Sequence, residues 1–129
     1  MTSLPTAFQD SDLPLKHTIY VLVRTDISLA QQIVQAAHAT AEAARSLYRS
    51  EHGIASLVLL AVLDKASLHQ AQLQLQHKGI ACELFHEPDF GMGDSALATQ
   101  PVPDAMRKHF RSWPLWTAPQ PASVLQEAA

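Results

Sequence analysis

The sequence predicts one α/β domain, a sandwich built on a mostly parallel sheet, and three observations predict it. Apolar, β-branched runs alternate with helical stretches in the order strand, helix, strand, helix, strand, as in sheets covered by crossover helices. The chain has 129 residues, of which 47% are hydrophobic, enough to bury a core more than one layer deep. Glycine and proline fall between these runs rather than inside them.

Residues 1–15 carry prolines and little periodicity and are expected to form a flexible arm. His17 to Arg24 is β-branched and apolar, the mark of a buried strand. Asp26 and Ser28 can both cap a helix start, and Leu29 to about Arg49 is alanine-rich and free of glycine and proline, hence helical. Gly53 stops this unit. Ala55 to Val62 is almost unbroken apolar sequence, as expected of a strand covered on both faces.

Asp64 and Ser67 can cap a second helix, Leu68 to Lys78, whose apolar side is Leu68, Ala71, Leu73 and Leu75, and Gly79 ends it. Ile80 to Phe85 makes a third strand. The loop from Glu87 to Gly93 leads to a short fourth strand, Ser95 to Thr99. Asp104 can cap a short helix to about Arg111, which closes the domain at residues 16–112. Residues 113–129 contain three prolines and are expected to be an irregular tail.

Composition excludes several classes of function. The net charge of −3 provides no overall attraction for polyanions, so any nucleic-acid contact requires a local basic patch. Cys82 is the single cysteine; it permits no intramolecular disulfide or zinc-cysteine cluster and reads as a small buried hydrophobe. No histidine spacing points to a metal, and no cofactor is expected. No apolar run approaches the roughly 20 residues that span a bilayer, and no signal peptide is visible, so the expected location is the cytoplasm. Gly91-x-Gly93 leads to a strand rather than a helix and is not a dinucleotide fingerprint.

On a helical wheel Gln31, Gln35, His38, Glu42 and Arg45 share one stripe, while Leu29, Ile33, Ala36, Ala37, Ala44 and Leu47 are expected to face the sheet. The stripe is then either a solvated face with an ordinary His38–Glu42 pair, or a cleft in which His38 titrates near neutral pH. Near the C-terminus, Arg107, Lys108 and Arg111 interleave with Phe110, Trp113 and Trp116. Such aromatics fold onto their own core, form a homodimer contact, or stack on unpaired bases.

Two segments carry a resemblance. Tyr20-Val-Leu-Val-Arg-Thr-Asp-Ile27 followed by Ile33-Val-Gln-Ala-Ala-His-Ala39 is similar to the opening of type-2 peptidyl-tRNA hydrolases. Glu87-Pro-Asp-Phe-Gly91 followed by Ser95-Ala-Leu-Ala-Thr99 resembles that family's Asp-x-Gly turn and closing strand. The resemblance implies a three-layer α/β/α fold with a four-stranded mixed sheet whose last strand is antiparallel. It implies hydrolysis of the ester between a peptide and the 3′ acceptor end of tRNA, without a metal.

Carried over by position, the resemblance makes Asp89, His38 and Gln35 the catalytic candidates. Arg24, Asp26, Gln31, Gly91 and Ser95 become the substrate-binding candidates, with Asp89 the general base or water-orienting carboxylate. The family's helix-start lysine is missing: Ser28-Leu-Ala-Gln-Gln32 is two residues shorter, and Gln31 stands nearest. The turn threonine is also missing, with Gly93 in its place and Asp94 and Ser95 just beyond. Ester hydrolysis needs a base for water and a donor for the oxyanion, so Arg24 and Ser95 are the expected substitutes. The alternative expectation is a non-catalytic binding module on the same scaffold.

Overall fold

Strand β1 (His17–Arg24) alternates large apolar side chains along its length, and that alternation organises the domain. Ile19, Val21 and Val23 point to one face of the sheet, Tyr20 and Leu22 to the other, and all five are buried. The structure, a computed structural model, describes residues 16–118. The expected arm at residues 1–15 and the last part of the expected tail lie outside the described residues.

Around β1 the chain adds helix α1 (Leu29–Ser46), strand β2 (Ser56–Val62), helix α2 (Lys65–His77) and strands β3 (Cys82–Glu87), β4 (Gly93–Thr99) and β5 (Val102–Pro103). Short 3₁₀ helices cover Ser50–His52 and Asp104–Phe110. The strand order is β2-β1-β4-β3, with β5 also on β1. The fold is therefore mixed α/β with a mixed five-stranded sheet, and α1 and α2 cover its opposite faces.

The expected mostly parallel sheet is corrected. Among the described residues only β1 and β2 pair in parallel; β4 runs antiparallel to both β1 and β3, and β5 is antiparallel to β1. The reason lies in connection length. Residues 88–92 are too few for a crossover, so β3 returns as a hairpin, and β4 inserts between β1 and β3. The extra strand, β5, is a two-residue continuation of β4 along β1 beyond Gln100 and Pro101, pairing Val102 with Thr18.

Of the cap candidates, Ser28 and Asp64 form caps. Asp26 pairs with Arg24 instead, Ser67 lies inside the helix, and Asp104 follows Pro103, which caps its 3₁₀ helix without a side-chain hydrogen bond. Ser28 Oγ accepts from Gln31 N–H at 3.2 Å, and Asp64 Oδ1 accepts from Ser67 N–H at 2.8 Å. The second helix begins earlier than expected, at Lys65, because Asp64 caps it. Leu68, Ala71 and Leu75 are buried as expected, but Leu73 is 60% exposed, being two residues off their face.

The face of α1 also differs from expectation. Gln35, Ala36, Ala39 and Ala43 are its buried residues, while Ile33 is 56% exposed and Ala37 and Ala44 are exposed. Alanine on both faces leaves the wheel without contrast, and Gln35 is drawn inward by hydrogen bonds. Ala36, Ala39 and Ala43 meet Ala96 and Ala98 of β4, so the helix sits close to the sheet. It lies over β1, β4 and β3, leaving β2 partly open on that side, where Leu57 is 60% exposed.

The aromatic residues near the C-terminus belong to the packed body. Phe110 is buried and stacks on Tyr20 with ring centroids 3.7 Å apart, and Trp113 packs against it. Residues 114–116 then lie along the edge of β2: Ala61 N–H donates to Pro114 O and Trp116 N–H to Leu59 O, both at 2.9 Å. Trp116 donates its indole N–H to Gln32 Oε1 at 2.6 Å. All three aromatics expected as a possible dimer contact are thus engaged within one chain. Cys82 is partly buried, and burial pushes its thiol up to about 12, which leaves it protonated and unreactive at neutral pH.

Candidate functional site

A β-bulge at the start of β4 positions the polar residues. Phe85 pairs with Ala96 but His86 pairs with Asp94, so Ser95 is the extra residue. The bulge turns Ser95 toward α1, where Ser95 Oγ donates to Gln35 Oε1 at 2.6 Å. The Gln35 amide donates to Glu87 Oε1 at 2.8 Å and to Gln31 Oε1 at 3.0 Å. Gln35 is fully buried with both ends of its amide occupied, as burial of such a group requires. Gln35 occupies the side-chain oxygen of Gln31, a half-buried residue whose own amide N–H₂ makes no hydrogen bond among the described residues.

Glu87 is the carboxylate of this network. Its second oxygen accepts from Asp89 N–H at 3.3 Å. The Gln35 hydrogen bond, then that of Asp89 N–H, hold the Glu87 carboxyl below the usual range against the opposing effect of burial, and the charges of His38 and His86 add to this. His38 is exposed one turn after Gln35 and stacks on Phe85 with centroids 4.5 Å apart and planes 3° from parallel. Phe85 and Glu87 share a face of β3 by strand periodicity, which sets the imidazole close to the carboxylate.

The other candidates sit around this cluster. Asp89 is exposed, and its carboxylate makes no hydrogen bond among the described residues. It begins a turn in which Met92 N–H donates to Asp89 O at 3.1 Å, with Phe90 and Gly91 at φ +63° and +61°. Gly91 is therefore a turn residue with a backbone that favours glycine. Arg24 does not stand free at the strand end. It grips Asp26 through Nε and one terminal nitrogen at 2.8 and 2.9 Å, and its other terminal nitrogen donates to Met92 O and Asp94 O at 2.9 and 3.1 Å. Four hydrogen bonds thus occupy a group with five N–H donors, and Arg24 braces the loop with Asp26 as its partner.

The structure thus joins Gln35, Ser95 and Gln31 in one network, with His38 beside it; Asp89 and Gly91 form the adjoining turn, and Arg24 with Asp26 stands behind that turn. Sequence reasoning missed Glu87. The expected strand stopped at Phe85 and Glu87 was read as the first loop residue; β3 instead continues to Glu87, which places it on the face of Phe85. A second cluster was missed altogether: on the α2 side, Asp94 takes His69 Nε2 at 2.7 Å on one oxygen and His86 Nδ1 at 2.9 Å on the other. A Cβ on Gly93 would meet Lys65 Nζ at 3.1 Å, so the absence of a side chain there makes room for the lysine. No local motif joins these residues, which come from α2, β3 and β4.

Among the described residues no group of three or more His, Cys, Asp or Glu is placed to hold a metal ion. No helix among them is long and apolar enough to cross a membrane. No protein-family model matches the chain, and no curated protein matches it significantly. Among solved structures, the chain is similar to a protein of unknown function, Atu0240, from Agrobacterium tumefaciens strain C58. The match has a TM-score of 0.58 and 16% identity, and it covers 79% of this chain and 98% of the other. At that identity the likeness concerns the fold alone.

Proposed function

We propose that the chain hydrolyses the ester joining a peptide, or an N-blocked amino acid, to the 3′ end of tRNA, at the surface formed by Gln31, His38, Glu87 and Asp89. The carrying observation is convergence: Gln35 of the helix motif and Ser95 and Glu87 of the turn motif, which underlie the resemblance to type-2 peptidyl-tRNA hydrolases, meet in one hydrogen-bonded network. Each side chain then has a task. His38 takes the proton of the attacking water, and the neighbouring Glu87 carboxylate stabilises the imidazolium that forms. Asp89, exposed on its turn, orients that water.

The amide N–H₂ of Gln31, whose oxygen is held by Gln35, donates to the oxyanion of the tetrahedral intermediate in place of the missing lysine. Collapse breaks the bond to the ribose oxygen. The imidazolium returns its proton to that oxygen, leaving a peptide carboxylic acid and a free hydroxyl. Gln35 and Ser95 are positioning residues.

One observation favours a second reading, a binding module without turnover. Arg24, the expected substitute for the lysine, has its guanidinium engaged by Asp26 and two backbone carbonyls. A single assay separates the two: release of label from an N-blocked aminoacyl-tRNA by the wild-type protein, with His38→Ala and Glu87→Gln beside it. Turnover that falls by about 10²–10⁴-fold in His38→Ala, and by less in Glu87→Gln, is the expected result. Wild-type protein no faster than buffer sinks the hydrolase reading in favour of the binding module.

A further inference from the structure

Phe90 stands at the tip of the β3–β4 loop with 79% of its surface exposed. Among the described residues it is the single non-glycine with positive φ. Asp89 to Met92 close a hydrogen-bonded turn whose two central residues, Phe90 and Gly91, are both left-handed. Such turns take Asn-Gly or Asp-Gly, because a short polar side chain tolerates that backbone and a bulky one does not. The fold gains no packing in return: Phe90 belongs to neither core cluster and takes part in none of the ring contacts among the described residues.

The turn is held on both flanks. Arg24 donates to Met92 O and Asp94 O on one side, and Asp89 N–H is tied to Glu87 on the other. A braced, strained turn therefore displays an aromatic face beside the Glu87 network. Strain of this kind persists where function requires it.

We propose that Phe90 is a stacking platform for a nucleobase carrying an exocyclic amino group. An aromatic face supplies sequence-tolerant stacking. The exposed Asp89 carboxylate beside it accepts from a base amino group, as carboxylates do in base recognition. Asp89 and Glu87 also repel phosphate, so the base lies against the protein and the backbone lies outward. Resting on the hydrolase reading above, this base is the one at the 3′ end of the substrate tRNA, and Phe90 sets affinity rather than chemistry.

The test compares the wild type with Phe90→Asn and Phe90→Trp. Binding of a 5′-labelled single-stranded RNA ending in adenine is read by fluorescence anisotropy, and thermal midpoints are measured on the same samples. Phe90→Asn is expected to weaken RNA binding about tenfold. It also creates the favoured Asn-Gly turn, so its midpoint rises by about 4 °C. Phe90→Trp keeps the affinity.

A purely structural Phe90 gives the opposite sign, a lower midpoint in the Asn variant, and that result overturns the proposal. Absence of RNA binding by the wild type, or equal affinity in the Asn variant, does the same. Turnover measured alongside keeps the two readings apart. RNA binding that depends on Phe90 without hydrolysis removes the hydrolase reading and leaves the stacking role. Hydrolysis with an RNA affinity indifferent to Phe90→Asn removes the stacking role alone.

Discussion

Asp94 and Ser95 are neighbours in the chain, yet the bulge at the start of β4 sends Ser95 toward α1 and Asp94 toward α2. On the α1 side alanines bring the helix close to the sheet, and Gln35 is fully buried with its whole amide satisfied. On the α2 side the Asp94 carboxylate takes two imidazoles of comparable hydrogen-bond length, but the His69 and His86 side chains keep 44% and 66% of their exposure. Similar distances therefore carry different energies. A buried network has no water to replace a lost partner, whereas an exposed polar contact is screened and rehydrated.

The largest effect is expected at Gln35. Gln35→Ala removes three hydrogen bonds and leaves a cavity under α1, at a cost of about 3 kcal/mol in urea unfolding. Arg24→Met comes next at about 2 kcal/mol, since it frees two turn carbonyls and the Asp26 carboxylate, which is already partly in water. Asp94→Asn is smallest at neutral pH, about 1 kcal/mol or less. If the Asp94 substitution proves as costly as that at Gln35, the contrast between the two faces fails.

The pH dependence sharpens the same contrast. Burial alone raises the Asp94 carboxyl, but the hydrogen bonds of His69 and His86 outweigh it, and the net value lies below the ordinary one. A depressed folded value adds stability above the unfolded value of about 4, and that stability is lost as pH falls through the lower folded value. The gap between wild type and Asp94→Asn should therefore narrow in acid below about pH 4 in unfolding curves. The gap for Gln35→Ala should retain its cavity component there, because a lost amide does not titrate.

Much of the fold was legible because it follows from local chemistry. β1 announced itself by β-branched residues, α1 and α2 by alanine, leucine and the caps Ser28 and Asp64, and the end of α2 by Gly79. By contrast, α1 ends at Ser46, short of the expected Arg49, and Gly53 closes the 3₁₀ turn that follows. The candidate site was legible in part: Gln35, His38 and Ser95 were named from two separate segments, and the network joins Gln35 to Ser95 across 60 positions of chain. The direction in which Gln35 points was not legible, because an alanine-rich helix has little contrast between its faces. Glu87 was passed over for Asp89 because the expected strand stopped at Phe85, whereas β3 runs on to Glu87 and the hydrogen bond from Gln35 engages that carboxylate.

The sequence by itself determined the order and type of the main elements, since propensity, caps and breakers act within a few residues of one another. Tertiary structure decided the rest. It placed β4 antiparallel between β1 and β3, drew Gln35 inward, engaged Arg24 with the carbonyls of Met92 and Asp94, and gathered His69, His86 and Asp94. Those outcomes depend on which groups meet across long stretches of chain and on which of them water can still reach. Neither is a property of any short segment.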